Sequence, residues 1–296
     1  MQAHRLFVLL VLGSALTGVR ADSAGAEGWA DVIKSETMRG NALPRLTELM
    51  PDLDLDEAYA IQRALVAVER PARGIGGYKA GFTNAASRAS FGLGGPVTGV
   101  LYGDGAREDG AAVDLADFSR LMIEVEIGFV LRSPIRRPMK SLDDLMTYVR
   151  EIVPVIELPD LAYDDLARVK GLDIVATNMA SRAYVIGRPL RLARPAAVNA
   201  LEFVLYRDGV AVDHGRAANA MGDQLGALLW LVNHVQTAGM PLSGGHLLIT
   251  GTLGKINPGL PGIYRAEFGS AGGVGFSVVG APPPGATAEQ SPAQSK

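Results

Sequence analysis

Two glutamates stand in an otherwise apolar stretch of the chain, LMIEVEIGFVL, which runs from residue 121 to residue 131. The density of Val, Ile and Phe predicts a β-strand, in which successive side chains point to opposite faces. Glu124 and Glu126 therefore share one face, with their carboxylates side by side. Two like charges this close repel each other, so the pair needs abundant water or a bound cation.

A third carboxylate, Glu157, lies about thirty residues later in PVIELPD, where Val155 and Glu157 share a strand face and Pro159 ends the run. If the two strands are neighbours, three glutamates converge. Sites built only from carboxylates suit Mg²⁺ or Mn²⁺, which keep open positions for water or a chelating substrate. From spacing alone, a solvated strand face and a structural calcium site remain open alternatives.

The composition limits the classes of function. The 296 residues are 48% hydrophobic and 20% charged, which is typical of a globular protein with a real core. A net charge of -3 provides no basic surface, so nucleic-acid binding is excluded. The absence of cysteine excludes a cysteine nucleophile, and four histidines argue against a histidine-built zinc site. No glycine cluster has the spacing of a nucleotide-binding loop.

The first 21 residues have the pattern of a secretory signal peptide. Arg5 precedes an apolar run over 6–16, and Val19 and Ala21 flank a cleavage site. The run is shorter than the roughly 20 apolar residues of a membrane span. We therefore expect an exported, periplasmic protein with no membrane contact after cleavage; an uncleaved anchor is the alternative.

The remaining pattern predicts an α+β fold. Asp54 and Glu57 form a capping box for a helix ending near Arg70. Short β-like runs follow, interrupted by two helices, at 141–152 and within 221–239. We expect a signal peptide (1–21), a small helical N-terminal part (22–75), a β-rich main domain (76–280) and a disordered tail (281–296) that has too little apolar content to pack.

Seven blocks follow one another along the chain: GYKAGFT (77–83), GVLYGDG (99–105), IEVEIGFVL (123–131), VPVIELPD (153–160), DIVATNMASRAYVIG (173–187), LLITGTLG (247–254) and YRAEFGSAGGVGFSV (264–278). In this order they resemble the 2-keto-4-pentenoate hydratase family of the fumarylacetoacetate hydrolase superfamily. The resemblance covers nearly the whole chain between the export signal and the tail. It implies a fumarylacetoacetate-hydrolase-like main domain with mixed sheets in a β-roll.

The resemblance also implies roles for six residues: Glu124, Glu126 and Glu157 as ligands of Mg²⁺ or Mn²⁺, and Lys79, Thr252 and Asn178 as catalytic residues. The alternatives are a surface lysine for Lys79, a turn residue for Thr252 and a turn cap for Asn178. Desolvation and a neighbouring cation would both lower the pKa of Lys79, which suits proton transfer.

The implied activity is that of a metal-dependent hydratase of aromatic catabolism. It would add water to a 2-hydroxy-2,4-dienoate, through its 2-oxo-enoate tautomer, and give a 4-hydroxy-2-oxo acid. The implied partners are this small-molecule acid and further copies of the chain in a homo-oligomer. Three alternatives remain: a 2-oxo-enedioate decarboxylase, an acylpyruvate hydrolase and an exported, non-catalytic 2-oxo acid binding protein.

The chain departs from the family pattern in three respects. The family's aromatic-catabolic hydratases are cytoplasmic, whereas the N-terminal pattern of this chain predicts export. Residues 84–97 lack the acidic residue that many members have, and MGDQLGALLWL (221–231) replaces the usual G-N-P-x-x-A-L-x-W-L. We expect both segments to lie around the substrate pocket, which leaves the substrate open.

Overall fold

The structure is a computed structural model that describes residues 17–280. These residues form seven α-helices: α1 (Thr17–Arg39), α2 (Leu46–Leu49), α3 (Leu55–Arg73), α4 (Ala85–Phe91), α5 (Leu142–Met146), α6 (Gly171–Ala176) and α7 (Gln224–Thr237). They also form thirteen strands: β1 (Ile75–Gly81), β2 (Val97–Tyr102), β3 (Ala106–Glu108), β4 (Ala112–Asp114), β5 (Met122–Leu131), β6 (Val149–Leu158), β7 (Ala183–Ile186), β8 (Glu202–Arg207), β9 (Val210–Arg216), β10 (Leu247–Ile249), β11 (Asn257–Pro258), β12 (Gly262–Glu267) and β13 (Gly273–Val279). The predicted α+β class is confirmed.

The strands form two mixed sheets. The larger sheet has the order β2-β1-β10-β5-β6-β7-β3, and β11 also pairs with β5. The smaller sheet has the order β4-β13-β12-β8-β9. Three pairs are parallel, β1 with β10, β3 with β7 and β4 with β13, and the other pairs are antiparallel. β5 and β6 therefore lie in the middle of the larger sheet.

The main hydrophobic core uses one face of β5. Ile123, Val125, Ile127 and Phe129 lie on that face, together with residues of the smaller sheet and of α7. The opposite face of β5 carries the two glutamates. Because the strand is buried on both sides, its apolar face fixes the direction in which the carboxylates point.

The N-terminal helices pack against the main part of the chain. Helix α3 begins at the predicted Asp54–Glu57 capping box and extends to Arg73, three residues beyond its predicted end. Apolar residues of α1 and α3 share a hydrophobic core with residues 161–169 and with α6. Along residues 17–280, no helix combines the length and the apolar content needed to cross a membrane.

The predicted domain boundaries stay predictions. Residues 1–16 of the predicted signal peptide and the predicted disordered tail, 281–296, lie outside the described residues. Residues 17–21 belong to α1, which continues past the predicted cleavage site. Helical structure of the N-terminal part ends at Arg73, and β1 begins at Ile75.

One predicted helix is half wrong. Ser141 caps α5 as expected, but the helix ends at Met146, and β6 begins at Val149 rather than after Ile152. The reason is tertiary pairing: Ile152 and Val153 are β-branched and pair with β5 in the centre of the sheet. The predicted helix within 221–239 is confirmed as α7, capped by Asp223.

Candidate metal centre

The strand register brings the three glutamates together. In the antiparallel pair of β5 and β6, Glu124 lies directly opposite Glu157, and Glu126 lies opposite Val155. Directly opposite residues in such a pair project to the same face of the sheet. One carboxylate oxygen from each glutamate lies within 4.8 Å of the others. This triad of Glu124, Glu126 and Glu157 could hold a metal ion.

The triad is not a solvated strand face. Glu126 is 1% exposed and Glu157 is completely buried. The Oε2 atom of Glu157 is buried and has no hydrogen-bond partner among the described residues. A buried carboxylate oxygen without a partner is costly, and a hard divalent cation would satisfy it. The chemistry of the donor set therefore fits Mg²⁺ or Mn²⁺.

Burial and mutual repulsion oppose the ionisation of the triad. Burial, reinforced by the charge of Glu157 and opposed by Lys79, raises the pKa of Glu124 to about 7. Burial is also the main cause of the raised pKa of Glu126 and of Glu157. These shifts disfavour the charged form of each carboxylate, and a cation bound among the three would favour it.

Lys79 is a positive group that lies directly beside the triad. It lies on β1, and its Nζ donates to Oε1 of Glu157 and, over 3.0 Å, to the carbonyl oxygen of Met179. The lysine is 3% exposed, so the alternative of a surface lysine is wrong. An ammonium group has three N–H donors, so one remains for a molecule bound beside the triad.

The pKa of Lys79 shifts opposite to the direction that we expected from desolvation and a cation. Burial lowers it, but the charges of Glu157 and Glu124, the hydrogen bond to Glu157 and the charge of Glu126 together raise it. A cation bound among the carboxylates would act in the lowering direction. The protonation of this lysine is therefore tied to the occupancy of the triad.

The loop after β10 supplies two polar groups. The N–H of Gly251 donates to Oε2 of Glu126 over 2.7 Å and orients that carboxylate. Gly251 has φ +105°, and a Cβ there would lie 2.3 Å from Oγ1 of Thr83, so only glycine fits. The hydroxyl of Thr252 lines the same cavity, is buried and has no hydrogen-bond partner among the described residues. The structure thus places Thr252 at the cavity, and its catalytic role stays a prediction.

Asn178 does not line the cavity, and its side chain is used elsewhere. Its Oδ1 accepts from the N–H of Val100 over 2.7 Å, and its Nδ2 donates to the carbonyl oxygen of Val100 over 3.0 Å. It therefore continues the edge of β2 in the manner of a neighbouring strand. Both ends of the Asn178 amide are thus bonded to the backbone of β2, and its catalytic role stays a prediction.

Asn178 begins a strained turn beside the site. Asn178, Met179 and Ala180 have φ values of 54°, 55° and 54°, a left-handed conformation that L-residues rarely adopt in succession. The turn aims the carbonyl oxygen of Met179 at Lys79. Such strain persists only where the surrounding structure imposes it. Here the two hydrogen bonds between the Asn178 amide and the Val100 backbone hold the turn in place.

The triad, Lys79 and Thr252 line one cavity of about 450 Å³. The N-terminal end of the segment 84–97 contributes to its wall, as expected, but 221–231 does not. Sequence reasoning missed the contributions of Gly251 and of the Met179 carbonyl, because both act through backbone atoms. In the sequence, the only signal for either contribution was the glycine between Thr250 and Thr252.

The chain matches known proteins over most of its length. The family described as fumarylacetoacetate (FAA) hydrolase C-terminal matches residues 94–273, a range that contains the triad and Thr252 but not Lys79. The TodF product hydratase of Pseudomonas putida is 33% identical over 239 residues, which cover 77% of this chain and 85% of that protein. A 2-keto-4-pentenoate hydratase of Dechloromonas aromatica is 30% identical, with 80% of this chain and 90% of that protein covered.

The likeness extends to solved structures. A 4-oxalocrotonate decarboxylase from Pseudomonas putida G7, complexed with magnesium and adipate, superposes with a TM-score of 0.80 at 23% identity. The superposition covers 86% of this chain and 98% of that one. At this level of identity the comparison establishes the shared fold.

Proposed function

Because the chain belongs to the fumarylacetoacetate hydrolase family, we propose that it is a metal-dependent hydratase of 2-hydroxy-2,4-dienoates. The reaction would pass through the 2-oxo-3-enoate tautomer and give a 4-hydroxy-2-oxo acid. The curated relatives that match this chain at 27–33% identity include several named 2-keto-4-pentenoate hydratase and one named 2-oxo-hept-4-ene-1,7-dioate hydratase. These names support a hydro-lyase.

The observation that carries the proposal is the carboxylate triad beside Lys79 in a single cavity, with Glu126 and Glu157 buried and Glu124 half-buried. Glu124, Glu126 and Glu157 would hold Mg²⁺ or Mn²⁺. A bound ion of this kind supplies Lewis-acid stabilisation of negative charge on the 2-oxo group. The dienoate has a carboxylate and a neighbouring oxygen, two adjacent groups that suit such a site.

The chain's own residues would then handle protons and water. In the first step the enol oxygen loses its proton and C5 gains one; in the second, hydroxide from water adds at C4 and the proton at C3. We assign proton transfer to Lys79, which keeps an N–H donor beside the triad. We assign the orientation of a substrate oxygen or of water to the hydroxyl of Thr252, which has no partner among the described residues.

One assay separates hydration from its alternatives. Purified protein loaded with Mn²⁺ is mixed with 2-hydroxypenta-2,4-dienoate, and the loss of its ultraviolet absorbance and the product are followed. We expect metal-dependent formation of 4-hydroxy-2-oxopentanoate. An absorbance shift without product would indicate a binding protein. Turnover of a 2-oxo-enedioate with release of CO₂, and none of the dienoate, would indicate a decarboxylase.

We also propose that the protein is exported, with residues 1–21 as a cleaved signal peptide. The support is the order of Arg5, an apolar run and small residues near Ala21. Fractionation of expressing cells followed by N-terminal sequencing tests this. A mature protein that begins at residue 22 in the periplasmic fraction is expected, and an intact N-terminus in the cytoplasmic fraction would contradict it.

Family resemblance further supports a homo-oligomer. Light scattering coupled to size-exclusion chromatography gives the mass directly. A mass that is a multiple of the 31.1 kDa chain, corrected for any cleaved leader, is expected.

A further inference from the structure

The charged groups of the cavity lie at one end. The triad and Lys79 are the only charged residues among the described residues that line it. Glu126, Glu157 and Lys79 are almost completely buried, whereas the lining residues Ala86, Ala89 and Ser90 of α4 are exposed. The cavity thus runs from a charged, buried end to an uncharged mouth.

The wall away from the charged end is largely apolar, and it consists of Phe82, Phe91, Leu161, Ile174, Met179 and Ile256. The rings of Phe82 and Phe91 contact each other, with centroids 5.0 Å apart and planes inclined by 55°. Phe82 has φ 53°, a strained conformation for a bulky residue. Since strain of this kind concentrates at ligand sites, the position of this ring points to a role in binding.

Three polar side chains near the mouth, Asn84, Ser87 and Ser90, form hydrogen bonds within α4 and its cap. Oδ1 of Asn84 accepts from the N–H of Ser87, whose hydroxyl donates to the carbonyl oxygen of Asn84. The hydroxyl of Ser90 donates to the carbonyl oxygen of Ala86. Arg88 does not line the cavity, and its Nη1 donates to the carbonyl oxygen of Phe82 over 3.0 Å. No cation of the described residues lines this part of the cavity, so a second carboxylate here would have no ion-pair partner among the lining residues.

The volume exceeds the needs of a small acid. A cavity of about 450 Å³ falls in the range of roughly 300–1,000 Å³ that is usual for drug-sized ligands. A five-carbon acid chelated at the triad would leave much of the apolar wall without contacts. The remaining space matches a longer hydrocarbon or aromatic substituent.

We propose that the acid accepted here carries one carboxylate, held at the triad, and an extended apolar tail that lies against Phe82 and Phe91. This inference rests on the proposed 2-oxo acid chemistry and deepens it by naming the substrate class. It predicts discrimination against dioates, because burying an unpaired carboxylate against an apolar wall is unfavourable. It also predicts tighter binding as the tail lengthens, by up to about fourfold for each methylene buried.

Binding of unreactive 2-oxo acids to the Mn²⁺-loaded protein tests the ranking without requiring turnover. Titration calorimetry would compare 2-oxopentanoate, 2-oxooctanoate and 2-oxoheptanedioate. We expect 2-oxooctanoate to bind at least tenfold more tightly than 2-oxopentanoate, and the dioate to bind more weakly than both. A dioate that binds as tightly as 2-oxooctanoate, or no gain from the longer tail, would overturn the tail assignment. Neither result would contradict the hydratase proposal.

The hydratase proposal can also fail while the tail assignment holds. If the expected ranking holds while 2-hydroxypenta-2,4-dienoate and its longer-tailed analogues are not hydrated, the hydratase proposal fails and the tail assignment stands.

A charge-introducing variant tests the apolar end directly. Ile256→Arg places a cation in the half-buried part of the wall and should improve the affinity for 2-oxoheptanedioate relative to 2-oxooctanoate by at least tenfold. Val212→Arg, on the exposed side of β9, adds the same charge away from the cavity and should leave the ratio unchanged. Equal ratios in the two variants would count against the proposal, provided that both keep the circular dichroism spectrum of the unmodified protein. The ranking in the unmodified protein decides the matter if Ile256→Arg does not fold.

Discussion

Single residues at the site depend on one another because four ionisable groups lie close together and three of them are almost completely buried. Glu126 and Glu157 are almost without exposure, and Lys79 contacts only one of them directly. Removing one member changes the charge that the others experience in a medium of low polarity. Substitutions of different members of this group should therefore change metal affinity and turnover to different extents.

Replacing Glu126 by Gln should weaken the affinity for Mn²⁺ by at least about 100-fold, since even residues that only orient a metal ligand contribute about 10–100-fold. Titration calorimetry measures the change. Glu151→Gln, farther along β6 and half exposed, is the matched control and should bind Mn²⁺ as the unmodified protein does. Undiminished Mn²⁺ affinity in Glu126→Gln would rule out the triad as the metal site.

Replacing Lys79 by Met should separate the catalytic role of the site from its binding of metal. We expect turnover to fall by roughly 10²–10⁴-fold, the usual contribution of a proton-transfer group. Affinity for Mn²⁺ should stay equal or increase, because a positive charge beside the ligands has been removed. The measurements are kcat and calorimetric Mn²⁺ binding on the same preparation. Turnover within tenfold of the unmodified protein would remove Lys79 from the mechanism.

At the level of elements, two short backbone segments hold the side chains that the strands present. The loop that follows β10 orients Glu126 through Gly251, and the left-handed turn at 178–180 orients Lys79 through Met179. Both depend on close approach between chain segments. A Cβ at Gly99 would lie 2.8 Å from Cβ of Met179, so β2 and the turn can meet only at a glycine.

Gly251→Ala should damage the site through this loop. The added methyl group would lie at a strained φ and would clash with Thr83. We therefore expect Mn²⁺ affinity to fall by at least tenfold and the melting temperature to drop by several degrees. Gly209→Ala, also at positive φ but with open space around its Cβ position, is the control for strain alone and should leave Mn²⁺ affinity unchanged. Equal Mn²⁺ affinities in the two variants would show that the contact with Thr83 does not matter.

Much of the secondary structure around the site could be predicted from residue patterns. The capping box at Asp54, the glycine that follows α7 at Gly239 and the alternation in β5 are local signals with a direct physical cause. Convergence of the three glutamates was expected on the condition that the two strands are neighbours, and the pairing of β5 with β6 meets that condition. These features depend on short-range periodicity, which a single sequence displays.

The rest depends on contacts between distant segments. The end of α5 at Met146 is decided by pairing of β6 with β5, not by helix propensity. The left-handed backbone of Phe82 and of Met179 has no signature in their side-chain types. The amide of Asn178 could equally have faced a substrate, and only the position of Val100 shows that it does not.

At the scale of the whole molecule, the buried charges link stability to pH. Glu124 has an ordinary pKa of 4.5 in the unfolded chain and about 7 in the folded, metal-free protein. The folded state therefore binds the proton more tightly, and stability is lost as the pH rises from 4.5 through about 7. Burial lowers the pKa of His234 and His246, which acts in the opposite sense below about pH 6.5.

Melting temperatures in the presence of a chelator should show this link. The difference between Glu124→Gln and the unmodified protein isolates the carboxylate from the histidines. We expect the variant to gain relative stability between pH 5 and pH 8, and saturating Mg²⁺ to stabilise only the unmodified protein strongly at pH 8. A difference that is independent of pH would contradict the raised pKa of Glu124.

The pairing of Glu124 with Glu157 has one more consequence, for how the chain reaches its native state. A slip of β5 by one position against β6 would turn both of its acidic side chains toward the apolar core and scatter the three oxygens. Acquisition of Mn²⁺ during refolding would then report the moment at which these two strands have aligned correctly, which makes the ion a built-in probe of strand alignment.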